Sequence, residues 1–195
     1  PWEILPRIKD LTARLAAGGI DGYTLLRPGV LVGRDVMIAA TATIEGTAVI
    51  GHGTVLRPGA YLRGGALLGS GCVIGNSTEL TNCLIMDGAQ VPHYNYVGDS
   101  ILGTGAHMGA GAITSNLKSD RTLVVVRDGA EEMETGIKKF GAALGDHAEV
   151  GCNSVLCPGS VIGAETIVYP LSRVRGFVPA GHIFKAGDNV VVRRR

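Results

Sequence analysis

The sequence predicts an all-β chain wound as a parallel β-helix, and three patterns carry that prediction. Ten aliphatic residues fall six apart: Leu26, Val32, Ile38, Ile44, Ile50, Leu56, Leu62, Leu68, Ile74 and Leu80. The residue two before each later one is small, as at Ala42, Ala48, Thr54, Ala60, Ala66, Cys72 and Thr78, and the residue after is often glycine, as at Gly33, Gly51, Gly69 and Gly75. Past residue 140 the phase returns in Leu144, Val150, Leu156, Ile162, Val168 and Val174, with Ala142, Ala148, Ser154, Ser160, Thr166 and Ser172 in the small slot. A period of six belongs to neither a helix nor a simple strand alternation; it describes one short flat face with one inward aliphatic per face. Three faces close a coil of about 18 residues, and coils stack at about 4.8 Å, the spacing between paired strands.

Composition bounds the rest. The chain has 195 residues, 46% hydrophobic but only 5% aromatic, so it can form one sizeable domain with an aliphatic core. Its 30 glycines recur in register, as turns require. A net charge of +1 gives no general surface for nucleic acid or membrane. No apolar run approaches the roughly 20 residues that span a bilayer, and nothing reads as a signal peptide. Cys72, Cys83, Cys152 and Cys157 form no CxxC pair, which fits a reduced, cytoplasmic protein.

In chain order, Ile4, Ile8, Leu11 and Leu15 recur at helical spacing and stop at Gly18-Gly19. Residues 1–19 are therefore expected to form a short amphipathic helix capping the open end of the solenoid, where unpaired edges would otherwise be exposed. Residues 20–195 form the β-helix. Between 82 and 116 the hexads slip: Ile85, Val91 and Val97 hold one phase, Leu102 and Met108 another. A slip means a residue lost or added at a corner, and such irregularities gather at sites. Residues 117–140 break the repeat as a protruding arm, with Leu123–Val126 as a strand, Asp128-Gly129 as a turn and Glu131–Glu134 as a polar return. Excursions of this length are disproportionately functional. The tail, with Lys185 and Arg193 to Arg195, is expected to be a surface extension.

Two stretches carry the chemistry. One is Val91-Pro92-His93-Tyr94-Asn95-Tyr96-Val97-Gly98-Asp99-Ser100; the other is Gly109-Ala110-Gly111-Ala112-Ile113-Thr114-Ser115-Asn116. With Lys138-Lys139-Phe140-Gly141-Ala142 and Gly151-Cys152-Asn153, they resemble the hexapeptide-repeat acetyltransferase half of the bifunctional enzymes that make UDP-N-acetylglucosamine. The archaeal-type sugar-1-phosphate acetyltransferases are the nearer likeness, over roughly residues 50 to 175. The resemblance implies a left-handed helix, a homotrimer with sites between neighbouring subunits, and transfer of acetyl from acetyl-CoA to glucosamine-1-phosphate or galactosamine-1-phosphate. The nucleotidyltransferase domain of those enzymes has no counterpart in the 20 residues before the repeat, so uridylyl transfer is not expected.

Acetyl transfer from a thioester to an amine needs a base, a donor for the developing oxyanion, and two well-placed substrates. His93 is the candidate base, because an imidazole titrates near neutrality. The slim backbone of Gly109-Ala110-Gly111 lets amide N–H groups approach the thioester. By the resemblance, Ala110, Asn116, Cys152 and Pro170 contact acetyl-CoA, whereas Arg57 and Tyr96 contact the sugar phosphate, a guanidinium being well suited to phosphate. Thr81 stands where the bacterial enzymes keep a lysine and His107 where they keep an asparagine, so the two sugar-facing positions differ. Arg121, with Lys118, is a candidate for the missing cation; Arg173 and Arg175 are read as surface charge. A different class of reading is a non-catalytic assembly or sugar-nucleotide-binding module that partners a separate nucleotidyltransferase. A zinc hydratase-like reading fails because His52, His93, His107, His147 and His182 contain no His-x4-His pair.

Overall fold

A computed structural model of the chain describes residues 1–187 and 189–193. Its strands pair in parallel, coil on coil. Val32 pairs with Ile50 and Ile50 with Leu68, a step of 18 residues; Leu144 then pairs with Ile162 at the same step. The repeat's inward positions form one column: Ile50, Leu56, Leu62, Leu68, Ile74, Leu80, Leu156 and Val174 are all essentially inaccessible. The small slot is filled as expected, with Thr54, Thr78, Ser154, Ser160 and Thr166 buried and their hydroxyls bonded to backbone. Those bonds let polar side chains sit at corners of an aliphatic core without leaving unpaired groups.

The slip has a specific location. Leu68 pairs with Ile85 and Ile85 with Leu102, steps of 17. The edge that turns on Gly64-Gly65 in one coil, at φ 72° and 66°, is taken by the single residue Asn82 in the next, at φ 47°, and by Asp99 in the one after, at φ 46°. Asn and Asp tolerate this left-handed region better than other side chains. Strands Glu79–Ile85 and Tyr96–Leu102 consequently run round the edge unbroken, which merges two faces into one 14-stranded sheet beside a nine-stranded sheet.

Three expectations change. Leu26, first of the hexad series, is half-exposed, because Thr24–Arg27 folds back antiparallel on Val30–Val32 and itself covers the first coil. At the other end Asn189–Val192 folds back on His182–Ala186 in the same way. The helix Ile8–Gly18, preceded by a 3-10 turn at Trp2–Arg7, does not cover the open end. It runs along a flank, against Val30–Val32, Ala48–Ile50, Ala66–Leu68 and Glu79–Ile85 in turn. The reason is an outward column on that face, Leu31, Val49, Leu67, Leu84, Ile101, Ala143 and Val161, which is aliphatic where outward residues of a solvated sheet are polar. Ala16 and Leu15 cover Leu31 and Val49; Leu5 and Ile8 cover Leu84 and Ile101.

The arm completes the cover. Val125–Asp128 pairs antiparallel with Glu131–Glu134 through a turn at Gly129, two residues later than the expected strand. Val124, Val126 and Phe140 are buried with Leu5, Ile8 and Ile101, while Glu131–Glu134 faces outward throughout. The arm is thus anchored at its base by the same apolar column. In the tail, Lys185 is exposed and Arg193 half-exposed; Arg194 and Arg195 lie outside the described residues.

Candidate functional site

Five of the sequence-predicted residues share one edge of the prism. The amide of Gly111 donates to the carbonyl of His93 (3.0 Å), that of Asn153 to Ala110 (2.8 Å), and that of Leu171 to Cys152 (2.9 Å). His93, Ala110, Cys152 and Pro170 therefore stand on successive coils. The pairing of Leu56 with Ile74 and of Ile74 with Val91 puts Arg57 on the same edge two coils earlier, about 10 Å away at the inter-strand spacing. Arg57, His93, Cys152 and Pro170 are exposed and Ala110 half-buried. Gly109 is where a side chain cannot go: a Cβ there would lie 2.8 Å from the Cys152 amide and 3.1 Å from its sulfur.

A residue missed from the sequence holds this edge. Asn95 is buried; its Oδ1 accepts from the His93 amide (3.0 Å), and its Nδ2 donates to the carbonyls of Gly109 (2.7 Å) and Ala112 (3.0 Å). The turn bearing His93 is pinned in this way to the glycine-flanked turn above it.

The remaining predicted residues divide. Thr81, Tyr96 and Asn116 meet at the slipped edge, in a groove of about 290 Å³ whose walls include Lys9, Arg63, Asn82, Asp99 and Lys139, so Asn116, expected with Ala110 on the acetyl-CoA side, stands instead with the two sugar-facing positions. Asp99 is buried, and its two oxygens accept from Nδ2 of Asn82 (2.7 Å) and Nδ2 of Asn116 (2.5 Å). Asn116 Nδ2 also donates to the Tyr96 hydroxyl (3.2 Å). Burial first, then the charges of Asp99 and Glu79, hold the Tyr96 phenol above its ordinary value, so it stays neutral and keeps its proton to donate. Arg63 is paired with Glu79 (2.7 Å) on the open face, and Thr81 Oγ1 donates to the Arg63 carbonyl (3.1 Å). The strand Tyr96–Leu102 joins the two edges; Tyr96 and Asp99 stand three residues apart, about 10 Å along an extended chain.

Cations are present beside Thr81, but not those expected. Lys9 from the N-terminal helix, Arg63 and Lys139 line the groove, whereas Lys118 and Arg121 do not. Lys118 bonds the Thr122 hydroxyl and lies 3.5 Å from Asp120, and Arg121 is exposed on the arm. His107 sits half-buried on the third face, in register between Gln90 and Glu149, and belongs to neither edge. Among the described residues no group of three His, Cys, Asp or Glu is placed to hold a metal ion, and the four cysteines are unpaired.

Comparison with known proteins follows the same lines. The family described as the GMPPB C-terminal domain matches residues 32–129. The bifunctional sugar-1-phosphate nucleotidylyltransferase/acetyltransferase of Sulfurisphaera tokodaii is 37% identical over 109 residues, 56% of this chain and 27% of that protein. The bifunctional protein GlmU of Methanococcus vannielii is 29% identical over 119 residues, 61% of this chain and 28% of that protein. The chain thus matches little more than a quarter of the length of these relatives. Among solved structures, a mutant of AntD, an N-acyltransferase from Bacillus cereus in complex with dTDP-4-amino-4,6-dideoxyglucose and coenzyme A, aligns over 91% of this chain and 93% of its own with a TM-score of 0.51 at 18% identity. That likeness shows a shared parallel β-solenoid.

Proposed function

The chain belongs to the GMPPB C-terminal domain family, and from that premise we propose that it is an acetyl-CoA-dependent N-acetyltransferase acting on an amino-sugar 1-phosphate, glucosamine-1-phosphate or galactosamine-1-phosphate. The observation that carries the reading is the edge on which an exposed imidazole, His93, stands one coil from Gly109-Ala110-Gly111, with Asn95 bonded to both turns. The His93 imidazole removes a proton from the acceptor amine as nitrogen attacks the thioester carbonyl; the C–S bond then breaks and coenzyme A leaves as the thiol. Amides of the glycine-flanked turn are the donors for the oxyanion. Along the same edge Ala110, Cys152 and Pro170 form the track for the acetyl donor, and Arg57 is the guanidinium for phosphate. The name of the relative in Sulfurisphaera, a sugar-1-phosphate nucleotidylyltransferase/acetyltransferase, supports this reading.

The edge of Arg57, His93, Cys152 and Pro170 is exposed, and the homotrimer implied by the resemblance, with sites between neighbouring subunits, belongs to this proposal. Partners are small molecules. No helix is long and apolar enough to cross a membrane among the described residues. The competing reading, a non-catalytic sugar-nucleotide-binding module, is favoured by Thr81 and His107. Mixing the protein with acetyl-CoA and a panel of amino-sugar phosphates separates the two. Release of free thiol that depends on one sugar phosphate, with the N-acetyl product detected by mass, is the expected result. Absence of thiol release with every acceptor would overturn the enzymatic reading.

A further inference from the structure

We propose that Asp99 is the positioning residue of the slipped edge: its carboxylate fixes the orientation of the Asn82 and Asn116 carboxamides, so that the groove presents carbonyl oxygens and selects an acceptor rich in N–H and O–H donors. The argument starts from what a carboxylate can do. It accepts hydrogen bonds and donates none. Bonds of 2.7 Å and 2.5 Å to its two oxygens therefore oblige both asparagines to turn Nδ2 toward Asp99. A carboxamide with its nitrogen so committed has its oxygen on the opposite side.

Neither Oδ1 has a protein partner among the described residues, and among these no buried side-chain nitrogen or oxygen is left unsatisfied, so neither oxygen is sealed from solvent, and Asn82, Asp99 and Asn116 all line the groove. Asn116 is fixed twice, because the same nitrogen also donates to the Tyr96 hydroxyl. Two carbonyl acceptors in the groove complement a molecule that carries hydroxyl or ammonium donors. This deepens the acetyltransferase reading and rests on it for the identity of the acceptor; the orientation of the amides does not.

The sequence places this device where a residue is lost from the coil. At Gly64-Gly65 the same edge carries no side chain at all. Replacing two glycines by one Asn or Asp per coil both shortens the turn and stacks three polar side chains, Asn82, Asp99 and Asn116, one above another.

The test is an amide-reversal experiment. Asp99→Asn keeps the size of the side chain but gives position 99 one acceptor and one donor, so only one neighbour can keep its nitrogen inward. The expected result is a rise of about tenfold or more in KM for the amino-sugar phosphate, with KM for acetyl-CoA changed less than about threefold. The paired change Asp99→Asn with Asn116→Asp restores complementarity, because the carboxamide introduced at position 99 then accepts from Asn82 and donates to the carboxylate introduced at position 116, which still offers an oxygen to the groove. In that double variant KM should fall most of the way back to the parental value. A purely structural role would move melting temperature without this split or this rescue. Side-chain NH2 resonances of Asn82 and Asn116 provide a readout independent of turnover: slow exchange in the parent, lost for one of them in Asp99→Asn. An unchanged KM together with unprotected amides overturns the proposal. Protected amides in a protein that releases no thiol uphold the positioning role and overturn the acetyltransferase reading instead.

Discussion

Two glycine-to-alanine changes, one coil apart, should differ sharply in their cost to stability. Gly75 and Gly98 both have φ outside the left-handed region, so backbone strain does not separate them. What a new Cβ would meet does. At Gly75 it falls 2.5 Å from Pro92 Cα and closer still to the Pro92 carbonyl, atoms of a rigid backbone in the coil above. At Gly98 it falls 2.7 Å from Tyr96 Cζ and 2.9 Å from Asn116 Nδ2, the far ends of two side chains that border an open groove. Overpacking costs about 1–3 kcal/mol and more where nothing can yield, so Gly75→Ala belongs at about 3 kcal/mol or above and Gly98→Ala near 1. For a chain of this size each kcal/mol lowers Tm by about 2–4 °C. Thermal melts followed by circular dichroism should therefore show a loss of at least about 6 °C for Gly75→Ala and about 2–4 °C for Gly98→Ala. In the thiol-release assay Gly98→Ala should nonetheless raise KM for the sugar phosphate about tenfold, through the displaced Tyr96–Asn116 pair. A Gly75→Ala protein that melts with the parent, or a Gly98→Ala protein that is the less stable of the two, would refute the reasoning.

Three further outcomes follow from burial and charge. Ile74→Ala removes a fully buried side chain from the stacked column and should cost about 2–5 kcal/mol by urea denaturation, whereas a loss below about 1 kcal/mol would mean that the column is loosely packed. Burial pushes the Cys83 thiol and the Tyr96 phenol upward, the latter helped by Asp99. Both groups bind their protons more tightly in the folded state, so the stability they supply is full below their unfolded values of about 8.5 and 10 and is lost as pH rises beyond them. The urea midpoint should fall between pH 8 and pH 10.5, and a flat profile contradicts this. Finally, exposed Cys152 and half-exposed Cys157 should react with a thiol reagent in the native protein, while buried Cys72 and Cys83 react only after denaturation. Acetyl-CoA should slow Cys152 specifically; equal slowing of both would remove Cys152 from the proposed donor track.

Much of this was legible in the sequence because a β-helix repeats one physical demand every six residues. Ile74, Leu80, Leu156 and Val174 had to fill one column, and the slip between Ile85 and Leu102 located the irregular edge. The path of the N-terminal helix was not legible from its own periodicity. The signal lay elsewhere, in the second aliphatic register of Leu31, Val49, Leu67, Leu84 and Ile101, which marks a face needing cover. The same column explains why Val124 and Phe140 anchor the arm. At the candidate site, the resemblance carried by the stretches 91–100 and 109–116 singled out His93, Ala110, Tyr96 and Asn116 as candidates, and coil register aligned His93 with Ala110. Asn95, Asn82 and Asp99 were given no role because corner asparagines and aspartates are ordinary turn formers, and their hydrogen bonds cross between coils. Likewise, Lys9 comes from a segment that the repeat pattern does not position.

The most direct measurement is the rate of thiol release by His93→Ala with acetyl-CoA and the preferred amino-sugar phosphate. Because the imidazole is exposed and makes no side-chain hydrogen bond to the described residues, Tm should stay within about 2 °C of the parent, while kcat falls about 10²–10⁴-fold. Turnover at the parental rate would show that another group takes the proton.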